Sequence, residues 1–173
     1  MIQRYILTGA PGAGKTAILE GLRARGHAVV EEAAHPVIAE MTAEGIAEPW
    51  GDPAFTDRIC ALQAKLRAAE TAPVQFHDRS PVCTLALARH LPQPVSPALA
   101  AEAARARDLY QQRVFLIEPL GFIVNTEARR ISYEDALKFE AVHIAAYEEL
   151  GFELIRIPPG MPEARAEQLL SLL

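Results

Sequence analysis

Apolar positions in this chain fall into five short runs separated by longer segments in which apolar residues recur at helical spacing. The runs lie at residues 4–8, 27–31, 74–78, 113–117 and 152–157. Their centres, such as Tyr5-Ile6-Leu7, Ala28-Val29-Val30 and Val114-Phe115-Leu116-Ile117, are near-continuously apolar. Strands of that kind are buried on both faces, which fits a parallel sheet covered by helices. The intervening segments predict helices. One follows a Gly-rich stretch, spans 15–25 and stops at Gly26; another spans 32–44 and stops at Gly45. Asp52-Pro53 has the form of an N-cap with proline at the first helical position, and Phe55, Ile59, Leu62, Leu66 and Ala69 form one stripe beyond it. Pro81 and Ser96-Pro97 open two more helices. Ser132-Tyr133-Glu134-Asp135 resembles a capping box, and a last helix starts at Pro162. Strands alternating with helices imply right-handed crossovers and a three-layer α/β sandwich, here expected as one domain over 1–173.

Between the first strand and its helix stands Gly9-Ala10-Pro11-Gly12-Ala13-Gly14-Lys15-Thr16, a complete G-x-x-x-x-G-K-[ST] phosphate loop. Its glycines let backbone N–H groups turn inward around phosphate oxygens, and the helix that follows adds its positive N-terminal end. In such a loop Lys15 reaches the β- and γ-phosphates and the Thr16 hydroxyl ligates Mg²⁺. The implied ligands are a nucleoside triphosphate, with ATP the default, and magnesium.

Two further strand ends carry chemistry. His77-Asp78-Arg79-Ser80 closes the third strand, and ligands of parallel sheets gather beyond the carboxyl ends of strands. Asp78 is expected beside the phosphate loop if that strand neighbours the first. There it would hold Mg²⁺ through water or accept a proton from an attacking hydroxyl; as a plain structural residue it would cap the next helix. Arg79 would clamp an anionic substrate or pair with Glu31 or Glu32. Glu31 and Glu32 close the second strand, and alternation allows only one of them to face an acceptor site. His35 reads as a surface or satisfied histidine, and His77 should point away from Asp78. Residues 118–130 form a candidate lid that ends in Arg129 and Arg130, cations suited to neutralising a transferred phosphoryl group.

Bulk properties narrow the field. Half of the 173 residues are apolar, 23% are charged and the net charge is −5, which is ordinary globular composition for one core. No basic block supports broad nucleic-acid binding. No apolar run is long enough to span a membrane. The first residues lack a signal-peptide pattern. Cys60 and Cys83 form no CxxC pair and read as buried thiols in a reducing cytoplasm. His90 and His143 lack ligand spacing for zinc.

Taken together, the phosphate loop, Glu32-Ala33-Ala34 after the second strand, Asp78-Arg79-Ser80 after the third and Arg129-Arg130 resemble small bacterial predicted ATPases of the AAA-domain kind. Those are similar to ribosylnicotinamide kinase and the nucleoside and nucleotide kinases. The resemblance spans nearly the whole chain. It implies a P-loop kinase-like fold with sheet order 2-3-1-4-5, and ATP- and Mg²⁺-dependent phosphoryl transfer to a small-molecule acceptor, nucleoside- or nucleotide-like. It also implies roles for Lys15 and Thr16 at nucleotide and metal, for Asp78, for Glu32 and Arg79 on the acceptor side, and for Arg130 in the lid. The stretch 33–72 would form the acceptor side. His35 stands where the family pattern has Arg. A guanine-reading Asn-Lys-x-Asp motif is absent from the sequence. Plain ATP hydrolysis, and an ATP-dependent switch acting on a protein partner, are the competing readings.

Overall fold

The computed structural model describes residues 1–122 and 131–173. Five strands, β1 (Gln3–Thr8), β2 (Ala28–Val30), β3 (Val74–Asp78), β4 (Arg113–Ile117) and β5 (Glu153–Ile157), form one wholly parallel sheet in the order β2-β3-β1-β4-β5. This is the order implied by the resemblance. Among the described residues, seven α-helices cover it: α1 (Lys15–Ala24), α2 (Ala34–Ala43), α3 (Phe55–Ala69), α4 (Pro81–His90), α5 (Pro97–Leu109), α6 (Tyr133–Glu149) and α7 (Pro162–Ser171).

The alternation of β1 sorts the core into layers. Leu7 packs with Phe76, Ile117 and the apolar faces of α1 and α7, including Ile18, Leu22 and Leu169. Ile6 packs on the opposite face with Val114 and with Val82, Ala106 and Tyr147 from α4, α5 and α6. A third cluster joins α2 and α3 through Val37, Met41, Phe55 and Ile59 beside the β2 edge. Burial on both sheet faces explains the apolar run Val114–Ile117 of β4 and the apolar centre Tyr5–Leu7 of β1, while the polar Gln75 and His77 of β3 are buried as a hydrogen-bonded pair.

Local chemistry sets the helix starts. Ser80 accepts a hydrogen bond from Val82 N at 3.2 Å, Ser96 from Leu99 N at 3.1 Å and Ser132 from Asp135 N at 3.0 Å. The Ser132 hydroxyl also donates to the Asp135 carboxylate at 2.7 Å, so the short Asp meets the side chain rather than the backbone of the cap. Two boundaries differ from expectation. Asp52 does not cap a helix beginning at Pro53: its carboxylate accepts from Ala54 N at 2.8 Å in an Asx turn, and α3 starts at Phe55. Before it, Pro49–Gly51 forms a 3₁₀ turn. The helix expected from residue 32 begins at Ala34, because Glu31 and Glu32 remain in the loop with their carboxylates held by Arg23 and Arg79.

The parallel register places Leu7 opposite Asp78, and Thr8 opposite Leu116. The carboxyl ends of β1, β3 and β4 therefore open at one sheet edge, where the functional residues gather.

Candidate nucleotide and acceptor site

The phosphate loop leaves β1 through Gly9, whose φ is +139°. A Cβ there would sit 2.4 Å from the carbonyl oxygen of Ile117 at the end of β4. Only glycine allows the loop to pass so close to the neighbouring strand. Gly14, at φ +92°, makes the turn into α1. Ala10 and Ala13 are buried beneath the loop. Two side chains from distant segments brace it. Glu140 of α6 accepts a hydrogen bond from Ala10 N at 3.2 Å. Arg165 of α7 donates to Ala13 O at 2.7 Å, to Glu118 O at 2.8 Å and to Ile157 O at 3.3 Å, tying the loop to the ends of β4 and β5.

Lys15 is buried, and its ammonium donates to the carbonyls of Gly9 and Ala10 at 3.2 and 3.1 Å. Burial, then the Arg79 cation, lower its pKa to about 8, against the opposing pull of Asp78 and Glu32. Asp78 is also buried, and its Oδ1 has no hydrogen-bond partner among the described residues. Burial raises the Asp78 pKa, and Lys15 and Arg79 offset part of that rise. A buried carboxylate oxygen without a partner is costly in a folded protein and marks a position kept for a ligand or a proton.

Arg79 continues from Asp78 in a left-handed backbone conformation, φ +73°, with its amide bonded to Leu7 O at 3.1 Å. That turn sends the guanidinium toward the β2 edge, where Nε donates to Glu32 at 3.1 Å and the group lies 5.6 Å from the Phe139 ring centre. Burial works against the Arg79 charge, but Glu32, Cys83 and Asp78 together outweigh it and keep the guanidinium firmly cationic. Burial alone would also raise the Glu32 pKa; the hydrogen bond from His35 at 2.9 Å and the Arg79 charge bring it down to about 2. Of the two readings of Arg79, the ion pair with Glu32 is therefore present. Glu32 is the carboxylate that turns inward, while Glu31 turns out to Arg23.

His143 of α6 completes the cluster. Its Nδ1 lies 2.8 Å from the Phe139 carbonyl, which can only accept, so Nδ1 carries the proton and Nε2 offers a lone pair to Arg79 at 3.5 Å. Burial and the Arg79 charge lower its pKa to about 3, so it is neutral at physiological pH. Behind Asp78, the Tyr147 hydroxyl bridges Ser80 at 2.7 Å and the Cys83 thiol at 3.1 Å. His77 points to the other side of β3, against Gln75 and Tyr110.

One cavity of about 870 Å³ joins these groups. Pro11, Gly12, Gly14, Lys15, Thr16, Glu32, Asp78 and Arg79 all line it. Gly9, Ala10 and Ala13 shape the loop from below. Arg129 and Arg130 lie outside the described residues. Glu140, His143 and Arg165 escaped sequence reasoning. Helical spacing from Phe139 and His143 was the available signal for α6, one turn apart on one face. Nothing local marks Arg165, because its partners lie at three separate loop ends.

A strand, a complete phosphate loop and a helix, on a parallel sheet ordered β2-β3-β1-β4-β5, define a P-loop nucleotide-binding protein of the kinase-like class. The AAA-domain family model matches residues 4–165, and the chain belongs to that family. No curated protein sequence matches the chain. Among solved structures, shikimate kinase from Acinetobacter baumannii in complex with shikimate is similar in fold, with a TM-score of 0.60. The match covers 99% of this chain and 93% of that one at 14% identity. Among the described residues, no helix is long and apolar enough to cross a membrane.

Proposed function

We propose that the protein transfers the γ-phosphoryl group of ATP to a hydroxyl of a small-molecule acceptor, nucleoside- or nucleotide-like in size. The observation that carries this reading is the buried Asp78 with an unpartnered oxygen, in one cavity with Lys15 and Thr16. The acceptor O–H bond breaks and its proton passes to the Asp78 carboxylate. The acceptor oxygen bonds to the γ-phosphorus, the γ-to-β bridge breaks, and ADP leaves. Asp78, whose pKa burial raises, is the carboxylate beside Lys15 in the cavity that can take that proton. Lys15 moves from the loop carbonyls onto the β- and γ-phosphates, and the loop amides bind the same oxygens.

The donor set also fits magnesium: the Thr16 hydroxyl and the free oxygen of Asp78 are hard oxygen ligands in the same cavity. Magnesium held by these oxygens would supply positive charge to offset that on the phosphates. The Glu32–Arg79 pair, held by His143 and Phe139, forms the acceptor-side wall and orients the incoming hydroxyl. In this reading Arg129 and Arg130 supply further positive charge to the transferred group. The free thiols of Cys60 and Cys83 suit a reducing cytoplasm.

The test is an ADP-release screen across nucleosides, nucleotides, vitamins and amino sugars. A kinase shows release that depends on one acceptor and is lost in Asp78→Asn. Release of equal rate with and without every acceptor marks plain hydrolysis. Nucleotide binding without release marks a switch.

A further inference from the structure

The cavity is not uniform in chemistry. One end carries Lys15, Thr16, Asp78, Glu32, Arg79 and His143. The other end, walled by α2, the 3₁₀ turn, α3 and α4, is lined by Ile38, Trp50, Phe55, Ile59, Leu87 and Leu91. These are not scattered. Ile38, Leu87 and Leu91 pack against the same cluster as Phe55 and Ile59, so the wall is a continuous apolar surface open to the cavity. Trp50 stands at its rim, 47% exposed.

Among the described residues, the polar side chains that interrupt that wall are Gln63 and Thr84, with His35 of α2 beside Glu32. The Thr84 hydroxyl donates to the Gln63 amide oxygen at 2.8 Å, which leaves the amide nitrogen without a hydrogen bond among the described residues. Swapping the two amide ends changes only which one is left over, so one hydrogen-bonding atom remains for a ligand in either orientation. A polyhydroxylated body buried here would leave several hydroxyls without partners, each at the cost of its lost hydration. A hydrocarbon body would lose none and would gain its transfer energy from water.

We propose that this apolar end is the seat of the acceptor's body, and that the acceptor is an uncharged alcohol. Its body is hydrocarbon, aliphatic or aromatic, and carries at most one polar group, which meets Gln63. The inference rests on the phosphoryl-transfer reading for its direction: the alcohol's hydroxyl points to Asp78, and its body points away from the phosphates. Asp78, Arg79 and Glu32 interact electrostatically with Lys15, so the charged end of the cavity is a single cluster. A molecule filling the apolar end meets that cluster with its polar terminus. A nucleotide base joins its phosphates at the α end, remote from the γ-phosphorus on which Asp78 would act.

Trp50 is the only tryptophan in the chain, so its emission reports occupancy of the seat without any turnover. The experiment titrates the full chain with 1-butanol, 1-hexanol and 1-octanol, with 2-phenylethanol, and with ribose and adenosine, with and without ATP and magnesium. The proposal expects a saturable emission change with the hydrocarbon alcohols. Affinity should tighten about fourfold per added methylene, and ribose and adenosine should bind more weakly than hexanol. Ile38→Thr and Leu91→Gln, both at partly buried positions, should weaken octanol binding at least tenfold with melting curves like the parent's. The pair guards against misfolding of one variant, and Gln63→Leu should weaken only alcohols bearing a second polar group.

Three results overturn the proposal: no saturable change with any hydrocarbon alcohol, tighter binding of ribose or adenosine than of octanol, or competitive displacement of octanol by ATP. The last would make the seat a base pocket. Saturable binding of the alcohols with no acceleration of ADP release leaves the apolar seat standing and sinks the phosphoryl-transfer reading instead, so the two failures are distinct.

Discussion

Replacing Glu32 with Gln isolates one charge at the centre of the site. The carboxylate accepts from Arg79 at 3.1 Å and pairs with His35 at 2.9 Å, and its side chain is only 23% exposed. Gln keeps the shape and can still accept one hydrogen bond from Arg79, so the change removes charge and little volume. A native pKa of about 2 against the ordinary 4.5 corresponds to ~3 kcal/mol of net interaction favouring the ionised form. Above pH 4.5 both native and unfolded carboxylates are ionised, and the stabilisation is fully present. As pH falls, the unfolded chain takes up a proton first and the native chain only near pH 2, so the contribution fades across that window and is about half gone by pH 3. Urea unfolding of parent and Glu32→Gln should therefore differ by ~3 kcal/mol at pH 7, and by about half that at pH 3. Equal stabilities at pH 7, or a gap that stays constant down to pH 3, would refute the claim that this pair carries buried charge in the native state. A loss far above ~5 kcal/mol would instead show that Arg79, left unpaired, finds no substitute among Asp78 and solvent.

Other perturbations address the phosphate loop and Asp78. The Lys15 pKa of about 8 means that the free protein loses this positive charge as pH rises through 8. Calorimetry should show nucleotide affinity falling above pH 8, with proton uptake on binding near that pH. Lys15→Ala should bind nucleotide weakly with no such pH dependence; pH-independent binding by the parent would contradict the assignment. Asp78→Asn should lower acceptor-dependent turnover by on the order of 10²-fold or more while nucleotide affinity stays within a few-fold, and full turnover in that variant would remove Asp78 from the catalytic machinery; the helix-cap role is already filled by Ser80. Gly9→Ala forces a Cβ to 2.4 Å from Ile117 O at a φ of +139°, and should cost at least ~2 kcal/mol in unfolding free energy; a neutral substitution would mean that the loop can move off β4.

The sheet was readable because its strands are short apolar runs bounded by sharp signals, and Val74–Asp78 and Arg113–Ile117 begin and end where the pattern places them. The phosphate loop was readable because its chemistry is local: eight consecutive residues contain both the glycines and the Lys-Thr pair. Asp78 could be placed from its strand end once the third strand is set beside the first, an order the resemblance implies, and parallel pairing with β1 puts Leu7 beside it. The sequence left open which of Glu31 and Glu32 turns inward. The left-handed turn at Arg79 and the reach of Arg23 to Glu31 decide it, and neither shows in a one-dimensional pattern. Glu140 and Arg165 stayed hidden for a related reason. Each is a charged residue on an otherwise ordinary helix, and its role comes from backbone groups more than 40 residues away in sequence, at Ala10 for Glu140 and at Ala13 and Glu118 for Arg165. Phe55 and Ile59 of the apolar stripe on α3 are buried, and the same side chains also wall the cavity. Periodicity shows that a face is apolar; it does not show what lies against it.

The most direct test of the central claim follows the γ-phosphoryl group itself. ATP labelled at the γ-phosphorus is incubated with magnesium, the protein and the acceptor that best accelerates ADP release, and the label is traced by mass spectrometry. Phosphoryl transfer predicts that the label appears as a phosphate ester on the acceptor, in equal amount to the ADP formed, and that both vanish together in Asp78→Asn. Label recovered wholly as inorganic phosphate, with ADP formed at the same rate whether or not the acceptor is present, would contradict it.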